Sequence, residues 1–260
     1  MSDLASQSIV VAGGAGEVGE GIVAALLRQG ASVLVPSRSA EKLAALQVAV
    51  ASAKPGRLDV LEADIGTEAG RARLRAAAEA AGPLRAVVAS LGGFWQGPYV
   101  VDVPQAAFAE ALEQRLFSHL HLVQTLLPLL RGLGASLVQI NGLAAVVSLP
   151  GLSALSVSTA AQLALTRCLI AEADAESPWI TSLIIEQWVK TRSRQQLPED
   201  ALTASEVGSE VARIITSAST HAILRLGKSE GQVSVAPLSA SAASLSAERV
   251  LDEWPLAGNA

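Results

Sequence analysis

The chain has 260 residues, half of them hydrophobic and only 3% aromatic, which suits one α/β domain with an aliphatic core of Ala, Leu and Val. A formal charge of −5 argues against the clustered basic surface of a nucleic-acid binder. Its one cysteine, Cys168, rules out an internal disulfide, and neither a secretory signal nor an apolar run of membrane-spanning length is evident. The expectation is a cytoplasmic protein with no nucleic-acid and no membrane partner, its cysteine on a buried helix face.

Short β-branched runs alternate with longer helical stretches, the pattern of a doubly wound parallel β-sheet with helices on both faces. Residues Ile9–Ala12 form a first strand, and a glycine turn leads to a helix over Val18–Gln29 that Gly30 ends. Strands follow at Ser32–Pro36 and Arg57–Glu62, with helices at Ala40–Ala53 and Thr67–Ala81. A fourth strand, Ala86–Ser90, is apolar throughout, as a buried parallel strand must be. Pro104–Gly132 reads as one long helix, Ser136–Asn141 as a strand and Ser153–Ala175 as a second long helix. Trp179–Glu186, a helix at Ala204–Ala218 and a weak strand at Gly231–Ala236 complete a single Rossmann-type domain over residues 1–238. Residues 239–260, rich in Ala and Ser, read as a tail that packs on the body or on a partner subunit.

Between the first strand and first helix lies AGGAGEVGEG, with Gly13, Gly16 and Gly19 at three-residue spacing. A chain that must turn sharply, approach a pyrophosphate closely and aim helix N–H groups at it needs small residues there. The groups around it, Glu17 and Val18, open the helix. Glu17 places a carboxylate beside the loop, where it either repels phosphate or caps helix N–H groups. At the end of the second strand, Ser37 and Arg38 stand where an acid would select a free ribose and an arginine suits a 2′-phosphate, so NADP is expected over NAD. Asp64 and Ile65, after the third strand, are placed to meet the adenine, although Asp64 could instead cap the next helix. His119, His121 and His221 form no metal-ligand spacing with Cys168 or with carboxylates, so no metal site is expected.

These residues resemble the short-chain dehydrogenase/reductase family over nearly the whole chain. LVQTLLPLLRG, LPGLSALSVSTAAQLALT and WVKT align with the family's body without gaps in the central segment. The resemblance implies a Rossmann fold, a dinucleotide cofactor, an unidentified small-molecule partner and a homodimer or homotetramer paired through the two long helices. It places Ser90 and Gly92 in the stretch after the fourth strand that borders the cofactor, and Thr191 at the nicotinamide carboxamide. It also implies a catalytic Tyr-x-x-x-Lys, a serine and an asparagine, and here those positions hold Leu155, Thr159, Gly142 and Arg115. Leucine has no proton to give. The side chains left to substitute are Arg115, His119 and Asn141, with Arg115 and His119 four residues apart on a helix. The leading expectation is an NADP(H)-binding protein with a degenerate active site that acts by binding, as a sensor, scaffold or partner subunit. Its alternatives are an oxidoreductase with atypical acid/base groups and a structural subunit that binds no nucleotide.

Overall fold

The computed structural model describes residues 4–199 and 201–238. Eight strands form one sheet in the order β10-β9-β6-β5-β4-β1-β2-β3. In chain order these are β1 (Ser8–Ala12), β2 (Ser32–Ser37), β3 (Arg57–Glu62), β4 (Leu84–Ala89), β5 (Ser136–Gly142), β6 (Trp179–Ile185), β9 (Ala222–Ser229) and β10 (Gln232–Pro237). All pair in parallel except β10, which returns antiparallel along β9. Strand order reverses between β1 and β4, and in open α/β sheets the crevice at such a reversal is where ligands bind.

Strand β9 is a correction to the sequence reading, which placed only one strand after the last helix. Its charges hid it: Arg225 and Lys228 break the apolar pattern and find their partners far along the chain. Lys228 Nζ lies 2.8 Å from Glu206 Oε1. Glu206 in turn closes the capping box that starts helix α7 (Ala204–Ser217), its carboxylate accepting from Thr203 N at 2.7 Å.

Helices α1 (Glu17–Arg28), α2 (Ala40–Ala49) and α7 cover one face of the sheet, and α3 (Glu68–Ala80) and α5 (Ser118–Leu126) the other. Both faces of the central strands are buried: Val11 and Val88 pack with Ile22 and Leu26, while Val10 and Val87 pack with Leu74 and Leu122. The stretch expected as one helix over residues 104–132 is divided. Helix α4 (Gln105–Leu112) passes through a π turn at Glu113–Phe117 into α5, and a short 3₁₀ turn containing Pro128 ends it. A π turn inserts an extra residue into the helix and is frequent at functional sites.

Helix α6 (Ser153–Ala171) is long and apolar enough to cross a membrane by length and composition alone, but its buried face carries polar groups that bond to the sheet. Gln162 Nε2 donates to Ile140 O at 3.0 Å and Thr166 Oγ1 to Gln139 Oε1 at 2.8 Å. That face fixes the helix's rotation and turns Cys168 outward, so the cysteine is exposed and not on the buried face expected from its apolar neighbours. Strands β7 (Val189–Lys190) and β8 (Leu202–Thr203) form a small parallel pair beside the main sheet. The expected tail at 239–260 lies outside the described residues.

Candidate dinucleotide cleft

A cleft of about 750 Å³ opens at the carboxyl ends of the strands, at the β1/β4 reversal. It brings together Gly13, Gly16, Glu17, Val18, Gly19, Ser37, Arg38, Asp64, Ile65, Ser90, Gly92 and Thr191 from five separate segments of the chain. Arg115, Asn141, Gly142, Leu155 and Thr159 line its other end.

The glycine loop fits a close-approaching ligand. Gly13 has φ +81°, and a Cβ there would stand 2.0 Å from Ser90 O, so only glycine lets β1 turn against β4. Gly16 caps α1 without a side-chain bond, and the first N–H the helix uses is that of Glu20, to Gly16 O at 2.8 Å. Amides at the start of α1 therefore face the cleft with the positive end of the helix behind them. At the end of the cleft beside β2 and β3, Arg38 is exposed, and its guanidinium has no ion-pair partner among the described residues. Lys42, one turn into α2, adds a second cation to this end that the sequence reading missed; its i+4 spacing from Arg38 was the available signal. Asp64 Oδ1 accepts from Gly66 N at 2.9 Å, which fixes its carboxylate at the cleft edge.

Glu17 has partners that its position beside the loop does not suggest. Its carboxylate reaches across the cleft to the segment after β7, accepting from Thr191 Oγ1 at 2.7 Å and from the Ser193 hydroxyl. These two hydroxyls, ahead of the nearby arginines, hold the Glu17 carboxyl below its usual range. Arg192 adds an ion pair to Glu20 at 3.6 Å, and Arg194 stacks 4.5 Å over the Trp188 ring. The polar stretch after β7 is thus latched to the start of α1. Thr191, the hydroxyl expected at a nicotinamide, is engaged by Glu17.

At the opposite end Leu155 and Thr159 offer no free proton for transfer. Leu155 lines the wall, and Thr159, one turn later, donates its hydroxyl back to Leu155 O at 2.7 Å. Asn141 spends its amide on backbone: Nδ2 donates to Thr159 O at 3.1 Å, and Oδ1 accepts from Gly142 N at 2.9 Å. His119 does not line the cleft. It is fully buried, its Nδ1 2.7 Å from Arg115 O, and burial depresses its pKa to about 4. A carbonyl can only accept, so Nδ1 carries the hydrogen and the ring is neutral. Its packing partner is this chain's own interior and not a subunit neighbour. Glu186, which also lines the cleft, is ion-paired with Arg225 from β9. Among the described residues no cluster of His, Cys, Asp or Glu could hold a metal.

A short chain dehydrogenase family model matches residues 7–201, three quarters of the chain. The chain belongs to the short-chain dehydrogenase family. Among curated relatives, the rhamnolipids biosynthesis 3-oxoacyl-[acyl-carrier-protein] reductase of Pseudomonas aeruginosa is 32% identical over 129 residues, covering 49% of each chain. The match thus spans about half the length of that relative. A short-chain dehydrogenase/reductase from Serratia marcescens superposes with TM-score 0.77 at 21% identity, over 89% of this chain and all of that one. A 7α-hydroxysteroid dehydrogenase complexed with NADH and a 7-oxo bile acid gives 0.75 at 20% identity, over 86% and 94%. ElxO with NADP bound gives 0.76 at 14% identity, over 84% and 96%. At these identities the structures establish the fold. Membership makes this an NAD(P)-type dinucleotide fold.

Proposed function

We propose that the protein binds NADP(H) in this cleft and acts through the bound state, without reducing carbonyls by the family's usual route. The observation that carries this reading is the pairing of an intact phosphate loop with Leu155 and a Thr159 whose hydroxyl is turned into its own helix. Adenosine would lie between Arg38 and Asp64, its 2′-phosphate on Arg38 and Lys42, and its pyrophosphate over the Gly13–Gly19 turn. When bound, the nicotinamide supplies hydride chemistry, but Leu155 carries no proton and the Thr159 hydroxyl is already given to its own helix, so neither can move a proton to or from a substrate oxygen. Glu17 sets the cost of binding: it must leave Thr191 or share the site with the pyrophosphate. That couples cofactor occupancy to release of the 191–194 segment, which suits a sensor or partner subunit. We further place a two-fold contact on the outward faces of α4–α5 and α6, where Phe117 and Val157 are 40% and 48% exposed. Light scattering giving a monomeric mass would refute that contact.

The relative from Pseudomonas aeruginosa is named for reduction of a 3-oxoacyl carrier protein, so 3-oxoacyl thioesters are the proper challenge. With NADPH saturating, the protein is expected to leave the cofactor unoxidised in the presence of 3-oxoacyl thioesters, aldehydes and ketones. Turnover at the rate of an ordinary reductase would overturn the non-catalytic reading and establish the atypical oxidoreductase in its place.

A further inference from the structure

The arginines that meet the cleft differ in how their charge is met. Arg225 is paired with Glu186, and Arg194 lies over Trp188 and within the field of Glu17. Arg115 is 9% exposed, and among the described residues no carboxylate lies within ion-pair distance of it. One of its five donors is used, Nη2 to Gly93 O at 2.6 Å. Burial alone lowers its pKa, to about 10, so the guanidinium stays charged at neutral pH. A buried charge left without an opposite charge is costly, and such sites persist where a ligand supplies the partner.

Three features of the fold hold this guanidinium in place. The π turn at Glu113–Phe117 carries it, His119 Nδ1–H fixes its backbone carbonyl at 2.7 Å, and Gly92 makes room for it. Gly92 has φ +91°, and a Cβ there would stand 2.8 Å from Arg115 Cζ. The planar group therefore sits at the border between the main cleft and an adjoining pocket of about 180 Å³. The surroundings are apolar: Leu143 and Leu155 belong to one small buried cluster with Trp95 against it, and Phe94 packs on Trp188 at 5.1 Å between ring centres. The nearest acid on the pocket wall, Glu110, is exposed and accepts from Gln114 Nε2 at 2.7 Å.

We propose that Arg115 is the anion anchor of the cleft's second ligand, a small organic acid whose carboxylate forks onto the guanidinium while its apolar body lies against Leu143, Leu155 and Phe94. A single buried cation matches a monoanion, and the planar fork matches a carboxylate. The inference names the ligand class for the cleft described above and rests on the reading of that cleft as a ligand site. The leucine that replaces a proton donor then has a use, as part of the wall that receives the acid's hydrocarbon.

The test is calorimetric titration of the full chain with hexanoate and 3-phenylpropionate, each against its neutral amide, with and without saturating NADPH. Each acid is expected to bind at least about tenfold more tightly than its amide, the preference of a charge-assisted pair over a neutral one. Arg115→Gln, checked for an unchanged unfolding profile, should lose that preference, and Arg115→Lys should keep only part of it because the fork is gone. Equal binding of acid and amide, no binding of either, or an Arg115→Gln protein that still prefers the acid would overturn the proposal. Acid preference in a protein that ignores NADPH would support the anchor while removing the dinucleotide reading, so the two can fail separately.

Discussion

Replacing Glu17 by glutamine keeps the side chain's length and its capacity to accept from Thr191 and Ser193, and removes only its charge. Because the residue is exposed, the relevant dielectric is closer to water than to a protein interior. Two unit charges roughly 5 Å apart at an effective dielectric of about 50 repel by about 1.3 kcal/mol, close to tenfold in affinity. NADPH should therefore bind Glu17→Gln roughly five- to tenfold more tightly than the parent chain, with the gain shrinking as salt screens it over a Debye length of about 10 Å at 0.1 M. Glycine at this position should go further by also freeing the 191–194 segment. Its cost is the favourable interaction of a carboxylate with the N-terminus of α1, about 0.3–1 kcal/mol of stability. Isothermal titration at two salt concentrations measures both effects. Equal or weaker binding by Glu17→Gln at low salt would show that the carboxylate does not face the phosphates and would refute the latch as a gate on the cofactor.

Arg38→Ala should weaken NADPH by about tenfold or more, the loss of a charge-assisted contact, and leave NADH unchanged; equal losses for both would remove the 2′-phosphate assignment. His119 is neutral in the folded protein with its pKa lowered from 6.5 to about 4 by burial, so the unfolded chain binds the extra proton between those values. Stability is then fully present above pH 6.5 and falls on acidification by up to about 1.4 kcal/mol per pH unit, and His119→Leu should flatten that slope in denaturant titrations at pH 7, 6 and 5. A slope unchanged by the substitution would assign the acid sensitivity elsewhere. Arg225→Ala strands Glu186 at the cleft rim and should cost about 1–3 kcal/mol of unfolding free energy in urea titrations, most of it recovered by adding Glu186→Gln. Additive losses in the double variant would show that the pair is not coupled.

Local signals made half of this molecule legible. The Gly13, Gly16 and Gly19 triplet falls between a β-branched strand and an amphipathic helix, so the turn and its position in the sheet followed from neighbouring residues. Arg38 was readable for the same reason, being fixed by the end of β2. What escaped depends on residues far apart in the chain. Glu17 meets partners 174 and 176 residues away, and a carboxylate beside a phosphate loop gives no hint of them. Strand β9 looked like a polar connector because Arg225 and Lys228 are matched by Glu186, 39 residues upstream, and by Glu206 on α7. The rotation of α6 depends on Gln162 and Thr166 bonding to β5, which the apolar run around Cys168 concealed. Arg115 was visible as a replaced asparagine, but its burial, its π turn and its seat on Gly92 emerge only when α4, α5 and the β4 loop are assembled.

The most direct test of the central claim is titration of the purified full chain with NADPH and, separately, NADH. The account predicts saturable binding of NADPH near one equivalent per chain, tighter than NADH by the contribution of Arg38. No binding of either dinucleotide at millimolar concentration would contradict it, and would leave the glycine loop as architecture closed by Glu17.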